Sequence, residues 1–204
     1  MSTALEVAAI GLESAGIMMS PEEFDAIEEY DELYRYELIR GVLVVTPPPL
    51  EEEAHPNETL GGLLFLYHEQ HPLGSALDLT LQERFVYLHD SRRRPDRVIW
   101  AGLGRRPDPK NDPPTIAVEF VSAGKRNWTR DYVTKRAEYR DLGVTEYWIF
   151  DRFKRTLTVH RNAPDGSIEL VVSEGEIYRT PLLPGFEVPL SRLLQAADVW
   201  SDQA

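Results

Sequence analysis

The sequence from Thr115 to Asp151 reads TIAVEFVSAGKRNWTRDYVTKRAEYRDLGVTEYWIFD. It opens on an apolar run, residues 116–121, which predicts a strand buried on both faces but contains one acid, Glu119. A polar turn and a helix over residues 128–142 follow, and the apolar run 147–150 predicts a second strand. This strand-helix-strand order predicts two parallel strands in the middle of one sheet.

The predicted helix carries a lysine on the face that should pack against the sheet. Read at spacings of three and four, this inward face consists of Trp128, Tyr132, Lys135, Tyr139 and Leu142. A lysine in that position must either extend its stem towards solvent or meet an acid. Glu119 on the preceding strand is the first candidate partner, and Asp131, one turn before Lys135, is the alternative.

The composition predicts one globular domain. The chain has 204 residues, of which 42% are hydrophobic, and this is enough for a sizeable core. We expect a tail of unknown role over residues 1–20 and a single domain over residues 21–204. The sequence has no cysteine, no signal-peptide pattern and no apolar run of about 20 residues that could span a bilayer. We therefore expect a cytoplasmic protein without membrane contact.

The net charge of −12 comes from the first part of the chain. Residues 1–60 hold 14 acidic and 2 basic residues, whereas residues 84–140 hold 14 basic and 7 acidic residues. This basic segment is suited to a phosphate backbone, although a solvated charged surface is the alternative. The candidate phosphate contacts are Arg92, Arg93, Arg94, Arg105, Arg106, Lys125, Arg126 and Arg130, together with His55 near a predicted helix start.

Asp96, Glu119 and Lys135 form a set suited to phosphodiester hydrolysis. Asp96 precedes the apolar strand 98–100 and shares a face with alternate residues of that strand. Carboxylate oxygens are ligands of Mg²⁺, which keeps several waters and binds substrate phosphate, and an ammonium group stabilises an attacking hydroxide. Asp96 and Lys135 also have structural alternatives: Asp96 as a cap at the strand entry, and Lys135 with its ammonium in solvent.

These residues resemble the signature of the PD-(D/E)XK nuclease superfamily, and the wider pattern resembles the Uma-type restriction endonuclease family within it. The matching segments are YELIRG at 36–41, Pro95-Asp96, VEFVS at 118–122, the positions of Asp131, Lys135 and Tyr139, and GVTEYWIFD at 143–151. They span most of the chain. The run that follows the predicted helix is the most specific of them.

The resemblance implies a restriction-endonuclease-like fold of the α/β (α+β) class, a mixed β-sheet with flanking helices. It also implies Mg²⁺- or Mn²⁺-dependent endonuclease activity on DNA, with Asp96 and Glu119 as metal ligands and Glu37 as a further acid. The lysine of the motif is expected two residues after Glu119, where this sequence has Val121. We predict that Lys135 takes its place, with Lys125 as the weaker substitute.

Val121 also keeps a second hypothesis open. In this hypothesis the chain is a catalytically inactive nuclease-fold protein that binds DNA or another protein. A third, weaker hypothesis uses the acidic residues 1–60 to cover the basic segment. Nucleases that cut both strands often act in pairs, so a homodimer is one expected assembly, although the sequence shows no interface.

Overall fold

The computed structural model of the chain describes residues 9–123, 134–163 and 166–201. The chain forms two compact units: unit 1 comprises Met1–Pro48 and Phe85–Arg94, and unit 2 comprises Pro49–Arg84 and Pro95–Ala204. Residues 9–20, expected to be a tail, are part of unit 1, and a single domain over residues 21–204 stays a prediction. None of the helices described is long and apolar enough to cross a membrane.

Unit 1 is built on a β-hairpin. Its elements are α1 (Pro21–Asp25), β1 (Arg35–Ile39), β2 (Val42–Thr46), β4 (Val86–Tyr87) and β5 (Arg92–Arg93), and its sheet has the order β2-β1-β5-β4. Arg40 and Gly41 connect β1 to β2 with φ angles of 51° and 75°, as in the tight turns that match strand twist. The core consists of Ile10, Phe24, Tyr36, Leu38 and Leu43.

Unit 2 contains a six-stranded mixed sheet. Its strands are β3 (Leu77–Gln82), β6 (Arg97–Ala101), β7 (Ile116–Phe120), β8 (Glu146–Asp151), β9 (Thr156–Ala163) and β10 (Gly166–Ser173), in the order β10-β9-β8-β7-β6-β3. Strands β7 and β8 are parallel, which confirms the predicted crossover, and the other neighbouring pairs are antiparallel. Both central strands are buried along their whole length.

Helices cover both faces of this sheet. On one face, α2 (Glu51–Gln70), α4 (Leu190–Ser201) and the ribbon of β11 (Ile177–Arg179) and β12 (Glu187–Pro189) form a core with Val118, Phe120 and Trp148. The alternate residues of β7 point to the opposite face, where α3 (Lys135–Leu142) lies. Helix α3 is the described part of the helix predicted over 128–142, and it ends at Gly143, whose φ is 94°.

The start of β8 carries a fully buried acid, Glu146. Its Oε2 accepts hydrogen bonds from Trp148 Nε1 at 2.8 Å and from the Tyr178 hydroxyl at 2.9 Å. Its Oε1 accepts from Arg161 Nε at 2.8 Å, and Arg161 Nη2 also donates to the Tyr178 hydroxyl at 3.0 Å. Both carboxylate oxygens are therefore satisfied, which is the condition under which a buried charge is tolerated.

We expect Glu146→Ala to lower the free energy of unfolding by about 3–5 kcal/mol, because it leaves Arg161 without its buried counter-charge. Urea unfolding followed by circular dichroism measures the effect. The matched control is Glu187→Ala, which removes a surface ion pair to Arg179 and should cost less than about 1 kcal/mol. Equal losses in the two variants would contradict a structural role for this network.

A second buried polar group, His160, lies on β9 and stacks on Tyr147 with ring centroids 6.1 Å apart. Its Nδ1 is 3.4 Å from Glu169 Oε2, and neither ring nitrogen has a hydrogen-bond partner in the described part of the chain. Burial lowers the pKa of His160 below its ordinary value of 6.5, the charge of Arg136 lowers it further, and Glu169 opposes the shift.

This lowered pKa predicts a loss of stability in acid. Below about pH 6.5 His160 is protonated in the unfolded chain but stays neutral in the folded chain. The free energy of unfolding of the wild type should therefore fall relative to that of His160→Phe as the pH decreases. Urea unfolding of both proteins between about pH 7.5 and 5.5 tests this. Parallel stability curves would show that His160 is not held neutral by its surroundings.

Candidate active site

Glu119, the fourth of the five residues of β7, forms a buried ion pair with Lys135. Glu119 and Lys135 are 3% and 2% exposed, and Lys135 Nζ donates to Glu119 Oε1 over 2.7 Å. The Tyr139 hydroxyl donates to the same oxygen over 3.2 Å. Lys135 and Tyr139 are four residues apart on α3, so one face of this helix supplies both donors. Lys135 therefore meets Glu119, its first candidate partner, while Asp131 lies outside the described residues.

Asp96 directly precedes β6, the strand that pairs with β7. The antiparallel register pairs Arg97 with Val118, and continued by one residue it sets Asp96 opposite Glu119. Asp96 is half-buried, and its Oδ2 accepts from the Phe120 amide over 2.7 Å. This bond holds the carboxylate against the backbone that follows Glu119.

Helix α2 brings a third acid, Glu53, close to Asp96. Glu53 is buried, and its carboxyl group hydrogen-bonds the side chain of Ser122, two residues beyond β7. Burial raises the pKa of Glu53 above its ordinary range, and the negative charge of Asp96 raises it further, while Ser122 and Arg152 oppose the shift. The negative charge of Asp96 therefore disfavours ionisation of Glu53 at this end of the sheet.

Glu53 is not among the site residues predicted from the sequence, although its spacing in α2 indicates a buried position. The buried residues of α2 include Glu53, Asn57, Leu60, Leu64 and Tyr67, which follow each other at steps of four and three. Glu53 belongs to the run Glu51-Glu52-Glu53 at the helix start, and such acids usually face solvent and stabilise the helix dipole. Extending the apolar stripe towards the helix start would have placed Glu53 and Asn57 on the buried face.

The donors at this site suit a hydrated hard cation. Within residues 9–123, 134–163 and 166–201, no three side chains of His, Cys, Asp or Glu gather closely enough to hold a metal by themselves. The acidic side chains in this part of the molecule are Asp96, Glu119 and Glu53. Mg²⁺ is commonly held by one or two carboxylates and completes its octahedron with water and substrate phosphate. A metal site formed by Asp96 and Glu119 therefore stays a prediction.

Comparison with known families identifies the chain. A family model described as "Putative restriction endonuclease" matches residues 21–191. The chain belongs to the Uma2 family. This confirms the resemblance seen in the sequence, and the matched range includes Glu37, Asp96, Glu119 and Lys135.

The fold of this Uma2 chain is similar to that of a solved structure. A protein from Anabaena variabilis ATCC 29413, described as a "putative nuclease", aligns with a TM-score of 0.67 and 14% identity, covering 88% of this chain and 99% of its own. At this identity the likeness concerns the fold, and it confirms the predicted mixed α+β fold of the restriction-endonuclease type. No curated protein matches the chain.

Val121 and Glu37 lie at two further positions that the family resemblance marks as functional, and their surroundings differ. Val121, where the motif lysine is expected, is buried, and its side chain carries no charge. Glu37 lies on β1 in unit 1, where its Oε1 accepts from the Arg94 amide over 2.8 Å and its Oε2 is 3.9 Å from Arg93 Nη1. These contacts place Glu37 in a local ion pair of unit 1, and a role for it at the metal stays a prediction.

Several predicted phosphate contacts are engaged within unit 1. Arg92 is buried and pairs with Asp25 at 2.8 Å. Arg93 is fully buried, and the half-buried Arg94 lies over the ring of Phe85. A phosphate contact by Arg92 or Arg93 would require the side chain to leave its present surroundings. Three further candidates, Lys125, Arg126 and Arg130, lie outside the described residues.

The other candidates occupy the surface of unit 2. His55 is exposed, and its Nδ1 accepts from Trp200 Nε1 over 3.2 Å. Arg106 is exposed, and Arg105 pairs with Asp112 at 2.6 Å within the loop that follows β6. That loop starts at the end of β6 opposite to Asp96. Contacts from it would therefore reach DNA at a distance from the proposed chemistry.

A double-mutant cycle tests the buried pair. Lys135→Met should lower the free energy of unfolding by about 3–5 kcal/mol at pH 7, because it removes the cation that neutralises the buried carboxylate of Glu119. Adding Glu119→Gln should recover part of that loss, since the remaining groups are then neutral. Urea unfolding measures each variant.

The control for this cycle lies on the same helix. Arg140 pairs with Asp141 at 2.9 Å on the exposed side of α3, so Arg140→Met should cost less than about 1 kcal/mol. If Lys135→Met is as mild as Arg140→Met, the ammonium does not neutralise Glu119 in solution.

Proposed function

We propose that this chain is a Mg²⁺- or Mn²⁺-dependent endonuclease that hydrolyses phosphodiester bonds in DNA. The observation that carries the proposal is the buried Glu119–Lys135 pair with Asp96 directly before the neighbouring strand. Membership of a family described as restriction endonucleases supports the same reaction class. Glu119 lies on β7 and Lys135 on α3, and Asp96 directly precedes β6, so regular structure positions all three residues or their immediate neighbours.

Asp96 and Glu119 are the residues that would hold the metal. When bound, the divalent cation would lower the pKa of a water molecule and polarise the scissile phosphate. Asp96 is the more exposed of the two carboxylates, so its side chain faces the approach of substrate. Glu119 is held by Lys135 and Tyr139 at one oxygen, which restricts the orientation of its carboxylate.

Lys135 would supply the positive charge that Val121 cannot. Its ammonium is fixed 2.7 Å from Glu119 Oε1, beside the carboxylate that we assign to the metal. A charge held there stabilises an attacking hydroxide and the developing charge on the phosphate without reorganisation during the reaction. Lys135 reaches this place from α3, and so the lysine need not come from β7.

DNA cleavage by the purified protein tests the proposal directly. Asp96→Asn preserves the volume of the side chain and an oxygen that accepts from the Phe120 amide, but it removes the negative charge. We expect it to lower the rate of nicking of supercoiled plasmid in Mn²⁺ by at least about 100-fold. The control is Asp141→Asn on the exposed side of α3, which should nick like the wild type. Identical rates for wild type and Asp96→Asn would overturn the proposal.

A second candidate function is a nuclease-fold module that binds DNA or protein without cutting. The observation in its favour is that Glu119 Oε1 already receives two hydrogen bonds, as expected of a purely structural ion pair. Calorimetric titration with Mn²⁺ distinguishes the two functions. An endonuclease should take up the ion in a manner that Asp96→Asn abolishes, whereas a binding module should show no uptake that depends on Asp96.

We also propose that the active form is a homodimer, since two chains acting together can cut both strands. Light scattering coupled to gel filtration, with and without a DNA duplex, measures the mass. A monomer that linearises plasmid in one binding event would contradict this assembly.

A further inference from the structure

Beneath Asp96, on the face covered by α2, lies a buried polar assembly of Asn57, Gly61 and Arg97. Asn57 and Arg97 are both buried. Arg97 Nε donates to Asn57 Oδ1 over 2.8 Å, and Arg97 Nη2 donates to the carbonyl of Asn57 over 3.0 Å. The guanidinium thus grips both the side chain and the backbone of one residue on α2.

Asn57 in turn hydrogen-bonds the backbone of Asp96. Its Nδ2 donates to the carbonyl of Asp96 over 2.9 Å, and the Glu83 amide donates to the same carbonyl over 3.0 Å. On its other side Asp96 is held through its carboxylate, which accepts from the Phe120 amide. The residue is therefore restrained at its backbone and at its side chain by groups from three different segments.

Gly61 makes room for this arrangement. A Cβ atom at residue 61 would lie 2.5 Å from Arg97 Nη2 and 2.9 Å from Arg97 Cζ, well inside contact distance. Glycine is unfavourable in the middle of a helix by roughly 0.5–1 kcal/mol relative to alanine, and here it lets the guanidinium lie against the helix. A Cβ atom added at the neighbouring Gly62 would have no atom within 4 Å.

We propose that Asn57, Arg97 and Gly61 are positioning residues that set Asp96 for metal binding. The inference rests on the proposed function, because it assumes that Asp96 is a metal ligand. Asn57 and Arg97 would act through hydrogen bonds to Asp96 and to each other. Groups that orient a ligand in this way typically change metal affinity by about 10–100-fold when they are removed.

The two adjacent glycines provide a matched pair of variants. Gly61→Ala adds a methyl group against the guanidinium, while Gly62→Ala adds the same group to the same helix in open space. Asn57→Ala removes both side-chain hydrogen bonds and serves as the second variant. Because Gly61→Ala deletes no polar group, it keeps the test valid if Asn57→Ala fails to fold.

Two readouts are needed, and the first requires no metal. The Phe120 amide donates to Asp96 Oδ2 over 2.7 Å, so its ¹⁵N–¹H resonance in the metal-free protein reports the position of the carboxylate. The second readout is the Mn²⁺ dissociation constant from calorimetry on the folded protein. Loss of stability alone would alter neither quantity, and thermal unfolding of each variant records that loss separately.

We expect Gly61→Ala and Asn57→Ala to shift the Phe120 resonance and to weaken Mn²⁺ binding by about tenfold or more, with Gly62→Ala unchanged in both. A Phe120 resonance that stays in place in both variants overturns the inference. A shifted resonance with unchanged Mn²⁺ affinity overturns it as well. If the wild type takes up no Mn²⁺ through Asp96, the proposed function fails instead, and the Phe120 resonance still decides whether the assembly positions Asp96.

Discussion

A buried carboxylate on a central strand of the sheet is the constraint on which this architecture depends. Glu119 has apolar neighbours along β7, where an unpaired charge would cost several kcal/mol. Lys135 and Tyr139 bond to the same oxygen from a single helix face. Helix α3, which lies between β7 and β8 in the chain, therefore supplies the Lys135 ammonium that neutralises the buried Glu119 carboxylate.

The same constraint explains why the candidate chemistry lies at one end of the strands. Asp96 stands at the entry to β6, half-buried, while its partner in register is fully enclosed. Helix α3 supports Glu119 from one face, and α2 supports Asp96 from the other through Asn57 and places Glu53 nearby. A rigid, enclosed charge beside a more accessible one is a suitable arrangement for a hydrated cation that must also receive phosphate.

Not every distinctive part of the sequence belongs to this site. The run Gly143–Asp151 is the most specific part of the family resemblance, yet Glu146 and Trp148 within it form a closed hydrogen-bond network with Arg161 and Tyr178. Both oxygens of Glu146 therefore have donors within unit 2, and this run contributes to packing at the start of β8. The arginines at 92–94 are a second example, because two of the three are buried inside unit 1 and a run of charged residues is therefore not an exposed surface.

Local pattern was sufficient to predict the parallel crossover, the acid on β7 and the inward lysine, because periodicity and burial are properties of short segments. It did not reveal Glu53, Asn57 or the partners of Arg92. Those depend on contacts between distant parts of the chain, 39 residues apart for Asn57 and Asp96 and 67 for Arg92 and Asp25. A short segment records which face of an element is buried, but which polar groups meet there follows only from how the elements pack.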